Sequence, residues 1–99
     1  MKVKIQSIHF DADVKLLQFV EEKVDKLGHF YNEIIASEVL LKLDKNSNTE
    51  NKVAEIKLHI PGNDLFVKKQ CKSFEEATDT AVEALTRQLK KHKEKIKGL

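Results

Sequence analysis

A chain of 99 residues is long enough to bury one hydrophobic core and too short for two. With 40% hydrophobic and 34% charged residues it is not a disordered chain, and no apolar run approaches the ~18 to 20 residues of a membrane span. Cys71 is the single cysteine, which excludes an intrachain disulfide and leads us to expect a cytoplasmic protein.

The first third of the chain predicts a strand and then a helix. In KVKIQSI (2–8), apolar and polar residues alternate, as in a half-buried strand. Asp13 is suited to cap the following helix, and Gly28 predicts that this helix breaks or frays nearby. At ~100° per residue, one arc of this helix is apolar. It contains Leu16, Phe19, Val20, Val24, Leu27 and Tyr31.

Period-two alternation predicts three further strands. They are SEVLLKL (37–43), VAEIKLHI (53–60) and LFVKKQCK (65–72). Val39, Leu41 and Leu43 should share one face of the first of these. A polar loop (44–51) separates the first two, and the turn residues 61–64 predict a hairpin between the last two.

A second helix should begin at Ser73, because Ser73 and Glu76 match the S-x-x-E capping box. Its predicted buried stripe is Phe74, Ala77, Ala81, Leu85, Leu89 and Ile96. The resulting order, β-α-β-β-β-α, predicts a single α+β domain over residues 1–99. We expect a four-stranded, mainly antiparallel sheet with two helices packed on one face and the other face in water.

The net charge of +2 hides a strong asymmetry along the second helix. Residues 73–86 carry four acidic residues and no basic one, whereas the following segment carries six basic residues against Glu94. The six are Arg87, Lys90, Lys91, Lys93, Lys95 and Lys97. Bases near a helix C-terminus complement the macrodipole, but that effect fades beyond the last turn. The number of charges therefore favours a polyanion-binding surface over a merely solvated helix.

The predicted lengths of the helix and the strands indicate where this basic segment lies relative to the sheet. A helix over 74–97 would span about 36 Å, whereas strands of six to eight residues span about 20 to 27 Å, so the final turns should overhang the sheet. Lys15, Lys23 and Lys26 flank the apolar arc of the first helix and could extend the same surface.

The chemistry of catalysis is missing from the sequence. The four histidines and Cys71 lack metal-ligand spacing, and no nucleophile motif or phosphate-binding glycine loop is present. No strand carries the paired exposed aromatics of an RNA-recognition motif, although Phe66 could be exposed. We therefore expect no enzyme, metal, cofactor or small-molecule substrate, and contacts to phosphates rather than to base edges.

Two segments carry a family resemblance. KVDKL (23–27) and LTRQLKKHKEKIK (85–97), with the intervening strands at nearly ungapped spacing, resemble the short ribosome hibernation-promoting factors and ribosome-associated inhibitors (the Y-protein family). The most specific part is Leu-x-Arg-Gln-Leu-x-Lys-x-Lys-x-Lys, beginning at Leu85.

The resemblance implies a domain similar to a double-stranded-RNA-binding domain. It also implies a cytoplasmic protein that binds the small ribosomal subunit near the decoding centre, blocks the mRNA and tRNA sites and promotes ribosome hibernation under stress. The basic positions that match the family and should face ribosomal RNA are Lys23, Lys26, Arg87, Lys91, Lys93 and Lys95. Lys90 and Lys97 are added on charge alone.

Three departures from the family pattern qualify the resemblance. Ala84 stands where relatives often have lysine, and SFEEA (73–77) replaces a frequent Asp-Met-Tyr-x-Ala. Because the sequence ends at Leu99, we expect the extra domain by which long relatives pair ribosomes to be absent. We therefore expect a monomer when free, and a helper protein if ribosomes dimerise.

A second function fits the same sequence. The predicted open face of the sheet carries Glu55, Lys57 and His59, which suit a protein-interaction module that modulates an acidic partner such as a transcription factor.

Overall fold

The structure, a computed structural model, describes residues 1–46 and 49–96. Within these residues the elements are β1 (Lys2–Ile8), α1 (Val14–Phe30), β2 (Ala36–Leu43), β3 (Lys52–Ile60), β4 (Asn63–Cys71) and α2 (Phe74–Ile96). The predicted order of strands and helices is confirmed.

The four strands form one sheet in the order β1-β2-β3-β4. β1 and β2 are parallel, whereas β2–β3 and β3–β4 are antiparallel. A parallel pair cannot be joined by a tight turn, so α1 supplies the crossover between β1 and β2. The prediction of a mainly antiparallel sheet is therefore confirmed.

The hydrophobic core lies between one face of the sheet and the two helices. One row of core residues crosses all four strands through the register Ile5–Val39–Ile56–Val67. α2 packs against β3 and β4, while α1 packs against β1 and α2. The opposite face of the sheet carries charged residues such as Lys57, which is exposed. One covered and one solvated face were predicted, and both are present.

Burial along β2 decreases toward the end of the strand. Val39 and Leu41 are buried, but Leu43 is 40% exposed. Leu43 is the last residue of β2 and pairs with Lys52 at the end of the ladder. The three residues lie on one face of β2 as predicted, and Leu43 is at the exposed end of that face.

The N-terminus of α1 agrees with the prediction, whereas its C-terminus does not. The Asp13 Oδ1 atom accepts a hydrogen bond from the Leu16 N–H at 2.8 Å, which confirms the cap. The predicted break at Gly28 was wrong, because the helix continues to Phe30 and the Tyr31 N–H donates to the Leu27 carbonyl at 2.8 Å. A Cβ atom at Gly28 would lie 3.3 Å from the Cε of Met1, so this glycine accommodates the N-terminal side chain.

The β3–β4 hairpin has a two-residue loop, Pro61 and Gly62, because Ile60 pairs directly with Asn63. Proline followed by a glycine at φ +78° fits a type II turn, in which the second central residue needs positive φ. The turn predicted over 61–64 is present in this shorter form.

The capping box of α2 is present with one change. The Glu76 N–H donates to Ser73 Oγ at 3.0 Å, and the Glu76 carboxylate accepts from the Lys72 N–H at 3.3 Å instead of from that of Ser73. The predicted buried stripe is confirmed for Phe74, Ala77, Ala81, Leu85 and Leu89, while the side chain of Ile96 lies outside the described part of the chain.

Candidate nucleic-acid interface

The two helices end on the same side of the molecule. Lys23 of α1 lies 3.2 Å from the carboxylate of Asp79 on α2, and Lys93 near the end of α2 reaches the carbonyl of Phe30 at the end of α1. The later of the two α1 residues contacts the later of the two α2 residues. The two helices therefore run in the same general direction. Their C-terminal ends, which carry the negative ends of the helix dipoles, are therefore close together.

Three basic residues form a stripe along the solvent side of α2. Arg87, Lys91 and Lys95 recur every four residues, so they lie above one another on one face of the helix. All three are exposed, and they point away from Leu89, which is completely buried. We call these three residues the basic stripe. Because Leu89 is buried, the helix is rotated so that the basic stripe faces solvent.

Two further exposed lysines lie in the C-terminal halves of the two helices. Lys90 lies on α2 beside the basic stripe. Lys26 lies on α1, three residues after Lys23 and four before Phe30, so it sits on the same flank of α1 as the two residues that contact α2. The flank of α1 that carries Lys26 therefore lies next to α2.

Lys23, unlike these exposed lysines, already contacts a carboxylate within the protein. Its Nζ atom lies 3.2 Å from Asp79 Oδ1 and 5.4 Å from the centre of the Phe19 ring, and its side chain is 34% exposed. The lysine therefore joins α1 to α2 and is partly neutralised by the carboxylate.

Lys93 also has a partner inside the protein. Its ammonium donates to the Phe30 carbonyl at 3.0 Å and lies 4.5 Å above the centre of the Phe30 ring. His92 packs edge-on against Tyr31, with 5.8 Å between ring centres. The end of α2 thus rests on the end of α1, a contact that the predicted overhang beyond the sheet did not include.

The predicted binding residues therefore divide into three groups. The exposed group is Lys26, Arg87, Lys90, Lys91 and Lys95. Lys23 and Lys93 are half-buried and hold the helices together, and Lys97 lies outside the described residues. Glu94 is an exposed acid next to the basic stripe. Ala84, where relatives often carry lysine, is buried in the core and offers no side chain to a partner.

Several charges on the open face of the sheet are paired with one another, while Lys4, Lys57 and Lys68 on the same face are exposed. His59 contacts Glu38 on β2 at 2.5 Å through Nε2 and Asp64 on β4 at 3.2 Å through Nδ1. The hydrogen bond to Glu38, followed by that to Asp64, raises the pKa of His59, and the same bond from His59 lowers the pKa of Glu38. Lys42 and Glu55 pair at 2.8 Å.

One aromatic side chain lies on this open face. Phe66 is 53% exposed, as the sequence suggested, and it borders a shallow hollow of about 230 Å³ together with Lys4, Leu40 and Lys57. Glu38 and Glu55 also line the hollow, so the lysines there are offset by carboxylates. The sheet face is therefore a mixed-charge surface, unlike the end of α2.

Residues 1–46 and 49–96 bring together no group of three or more metal-ligating side chains. None of the helices within those ranges is long and apolar enough to cross a membrane.

The contacts that sequence reasoning missed are those of Lys23 and Lys93. One indirect signal for the second contact was available, since His29 is the only basic residue in the last turn of α1. A helix end with few bases of its own can accept a cation from a neighbouring element.

The chain is similar to known proteins along nearly its whole length. Residues 3–97 match the family described as sigma 54 modulation protein / S30EA ribosomal protein. The ribosome hibernation promoting factor of Pseudomonas putida is 32% identical over 99 residues, which cover 100% of this chain and 93% of that protein. The protein of the same name from Escherichia coli K12 is 29% identical over 97 residues, covering 98% of each chain.

Two solved structures share the fold. A ribosomal subunit interface protein from Coxiella burnetii superposes with a TM-score of 0.83 at 18% identity, covering 94% of this chain and 98% of that one. The N-terminal domain of Thermus thermophilus Protein Y gives a TM-score of 0.78 at 24% identity, covering 93% and 99%.

The family match spans nearly the entire chain, and the relatives agree with the resemblance inferred from LTRQLKKHKEKIK. The chain therefore belongs to the sigma 54 modulation protein / S30EA ribosomal protein family, among the short ribosome hibernation promoting factors.

Proposed function

We propose that the protein is a non-catalytic translation inhibitor that binds the small ribosomal subunit in the cytoplasm. In this proposal it lies near the decoding centre, blocks the mRNA and tRNA sites and promotes hibernation under stress. The observation that supports the proposal most strongly is the basic stripe, held outward on α2 in a chain whose relatives are named ribosome hibernation promoting factors.

The geometry of the basic stripe suits phosphates. Arg87, Lys91 and Lys95 follow one another at about 6 Å along the helix axis at ~1.5 Å per residue, and Arg and Lys are side chains that commonly contact phosphate oxygens. Lys90 and Lys26 widen this row into a surface formed by both helices. We propose that these five exposed cations contact ribosomal RNA, and that Lys97 adds a sixth contact.

The mixed charges of the open sheet face make it a weaker candidate for the main binding surface. His59, Glu38 and Asp64 contact one another, and Lys42 contacts Glu55, so these groups already have partners. Binding of an acidic protein partner would have to break some of these contacts.

The proposal is tested by cosedimentation of the full chain with purified small subunits. Five or six phosphate contacts predict that affinity falls with roughly the 3.5th to 5.4th power of salt concentration, or about 100- to 2,000-fold between 50 and 200 mM. The double variant Lys91→Glu/Lys95→Glu should lose binding at 100 mM salt.

The matched control is the double variant Lys57→Glu/Lys68→Glu, which makes the same charge change on the open sheet face. It should bind within a few-fold of the wild type. Loss of binding in the control with retention in the Lys91/Lys95 variant would contradict the proposal and favour the sheet face. Binding that does not depend on salt would contradict it as well.

A further inference from the structure

Lys93 belongs by sequence to the row of bases at the end of α2, but its position on the helix is different. At ~100° per residue, Lys93 lies about 120° around the helix from Arg87. It faces α1, where its ammonium donates to the Phe30 carbonyl at 3.0 Å.

The contact between Lys93 and the Phe30 carbonyl places a positive charge at the C-terminus of α1. The last carbonyls of a helix lack partners within the helix and carry the negative end of its dipole. In the last turn α1 supplies only His29, which lies 3.7 Å from Asp25. Lys93 therefore provides, from the neighbouring helix, the cation that α1 lacks.

Aromatic rings hold the ammonium in this position. Lys93 Nζ lies 4.5 Å from the centre of the Phe30 ring and 6.0 Å from that of Tyr31, which is within the range of cation–π attraction. The neighbouring residue, His92, packs edge-on against the Tyr31 ring. Two consecutive residues of α2 thus contact the last turn of α1.

Lys93 cannot serve both α1 and a phosphate on the outer face of α2 without releasing the Phe30 carbonyl. We propose that Lys93 is a positioning residue that fixes the end of α2 against α1, and that the basic stripe and its neighbours make the phosphate contacts without it. This inference rests on the proposed function for its binding readout only.

The decisive measurement compares Lys93→Met with Lys91→Met across a salt series. Loss of a phosphate contact reduces the slope of log affinity against log salt by about 0.7 to 0.9. Lys91→Met should show this reduction. Lys93→Met should lower affinity by about three- to tenfold while leaving the slope unchanged, because the same phosphates are contacted by a less well-placed helix.

A second measurement does not need the ribosome. In the free protein, the ring protons of His92 should be shifted by the Tyr31 ring current in the NMR spectrum. Lys93→Met should move these signals toward values typical of an exposed histidine, Lys93→Arg should restore them, and Lys91→Met should leave them unchanged.

The outcomes separate the two proposals. A slope that falls as much for Lys93→Met as for Lys91→Met would overturn the positioning role, and so would His92 signals that ignore Lys93→Met. Failure of the wild type to bind small subunits would overturn the proposed function, while the NMR comparison would still decide whether Lys93 holds the helices together.

Discussion

Truncation of Leu89 should destabilise the protein more than truncation of a leucine at the edge of the sheet. Leu89 is completely buried, and it lies within the segment of α2 that carries the exposed bases, between Arg87 and Lys91. Leu89→Ala removes three carbons, worth about 2.4 kcal/mol at ~0.8 kcal/mol each, and adds the cost of a cavity. We expect a loss of about 3 to 4 kcal/mol in the free energy of unfolding.

The assay is thermal and denaturant unfolding of the full chain. At roughly 4 to 8 °C per kcal/mol for a domain of this size, Leu89→Ala should lower Tm by about 12 °C or more. The matched control is Leu43→Ala, since Leu43 is 40% exposed and should cost only about 1 kcal/mol. Hydrogen exchange at the backbone amides after residue 89 should also accelerate in Leu89→Ala.

Equal losses in the two variants would refute the reasoning, because they would mean that Leu89 is no better packed than Leu43. A loss below about 1 kcal/mol for Leu89→Ala would refute it as well, since the burial of this side chain would then not hold the end of α2 in place.

Three smaller perturbations test other parts of the same structure. Ser73→Ala should cost about 1 kcal/mol in denaturant unfolding, because the Glu76 N–H loses its acceptor, and Ser73→Thr should restore most of it. Gly62→Ala should cost about 1 kcal/mol, since φ is +78° and no atom crowds the site, so that only the backbone is strained. His59→Gln should remove a pH-dependent stabilisation. Contacts with Glu38 and Asp64 raise the pKa of His59 from its ordinary 6.5, so their contribution is fully present below pH 6.5 and is lost as the pH rises through the raised value.

Each of these has a clear contrary result. If Ser73→Thr were as unstable as Ser73→Ala, loss of the cap could not be the cause of the lower stability. A Gly62→Asn variant should be less destabilised than Gly62→Ala, and the reverse order would count against the positive-φ argument. The difference in unfolding free energy between wild type and His59→Gln should shrink from pH 6 to pH 9, and a difference that grows would contradict the stated sign. Below about pH 4.5 it should shrink again, as Glu38, whose pKa is lowered by His59, becomes protonated.

The elements themselves could be predicted because their signals are local. Asp13 and the pair Ser73–Glu76 mark helix starts by hydrogen bonds over three residues, and the alternation in β3 needs only the period of a strand. Gly28 gave a wrong helix end because the end of α1 depends on tertiary packing, here the burial of Tyr31.

The basic surface could be predicted only in part. Four-residue spacing of Arg87, Lys91 and Lys95 is a property of the helix alone. The partners of Lys23 and Lys93 depend on how α1 and α2 pack, with a separation of 63 residues between Lys93 and Phe30. Charge and spacing therefore predict the same phosphate-binding role for every lysine of this surface. The packing of the helices shows that Lys23 and Lys93 instead make contacts within the protein.

The most direct test of the central claim is an experimentally determined structure of the full chain bound to the small ribosomal subunit. We predict that Arg87, Lys91 and Lys95 lie within hydrogen-bonding distance of ribosomal RNA phosphates in the path of mRNA and tRNA, with Lys93 still on the Phe30 carbonyl. A complex in which the end of α2 is solvent-exposed and the open sheet face contacts a protein would contradict this claim.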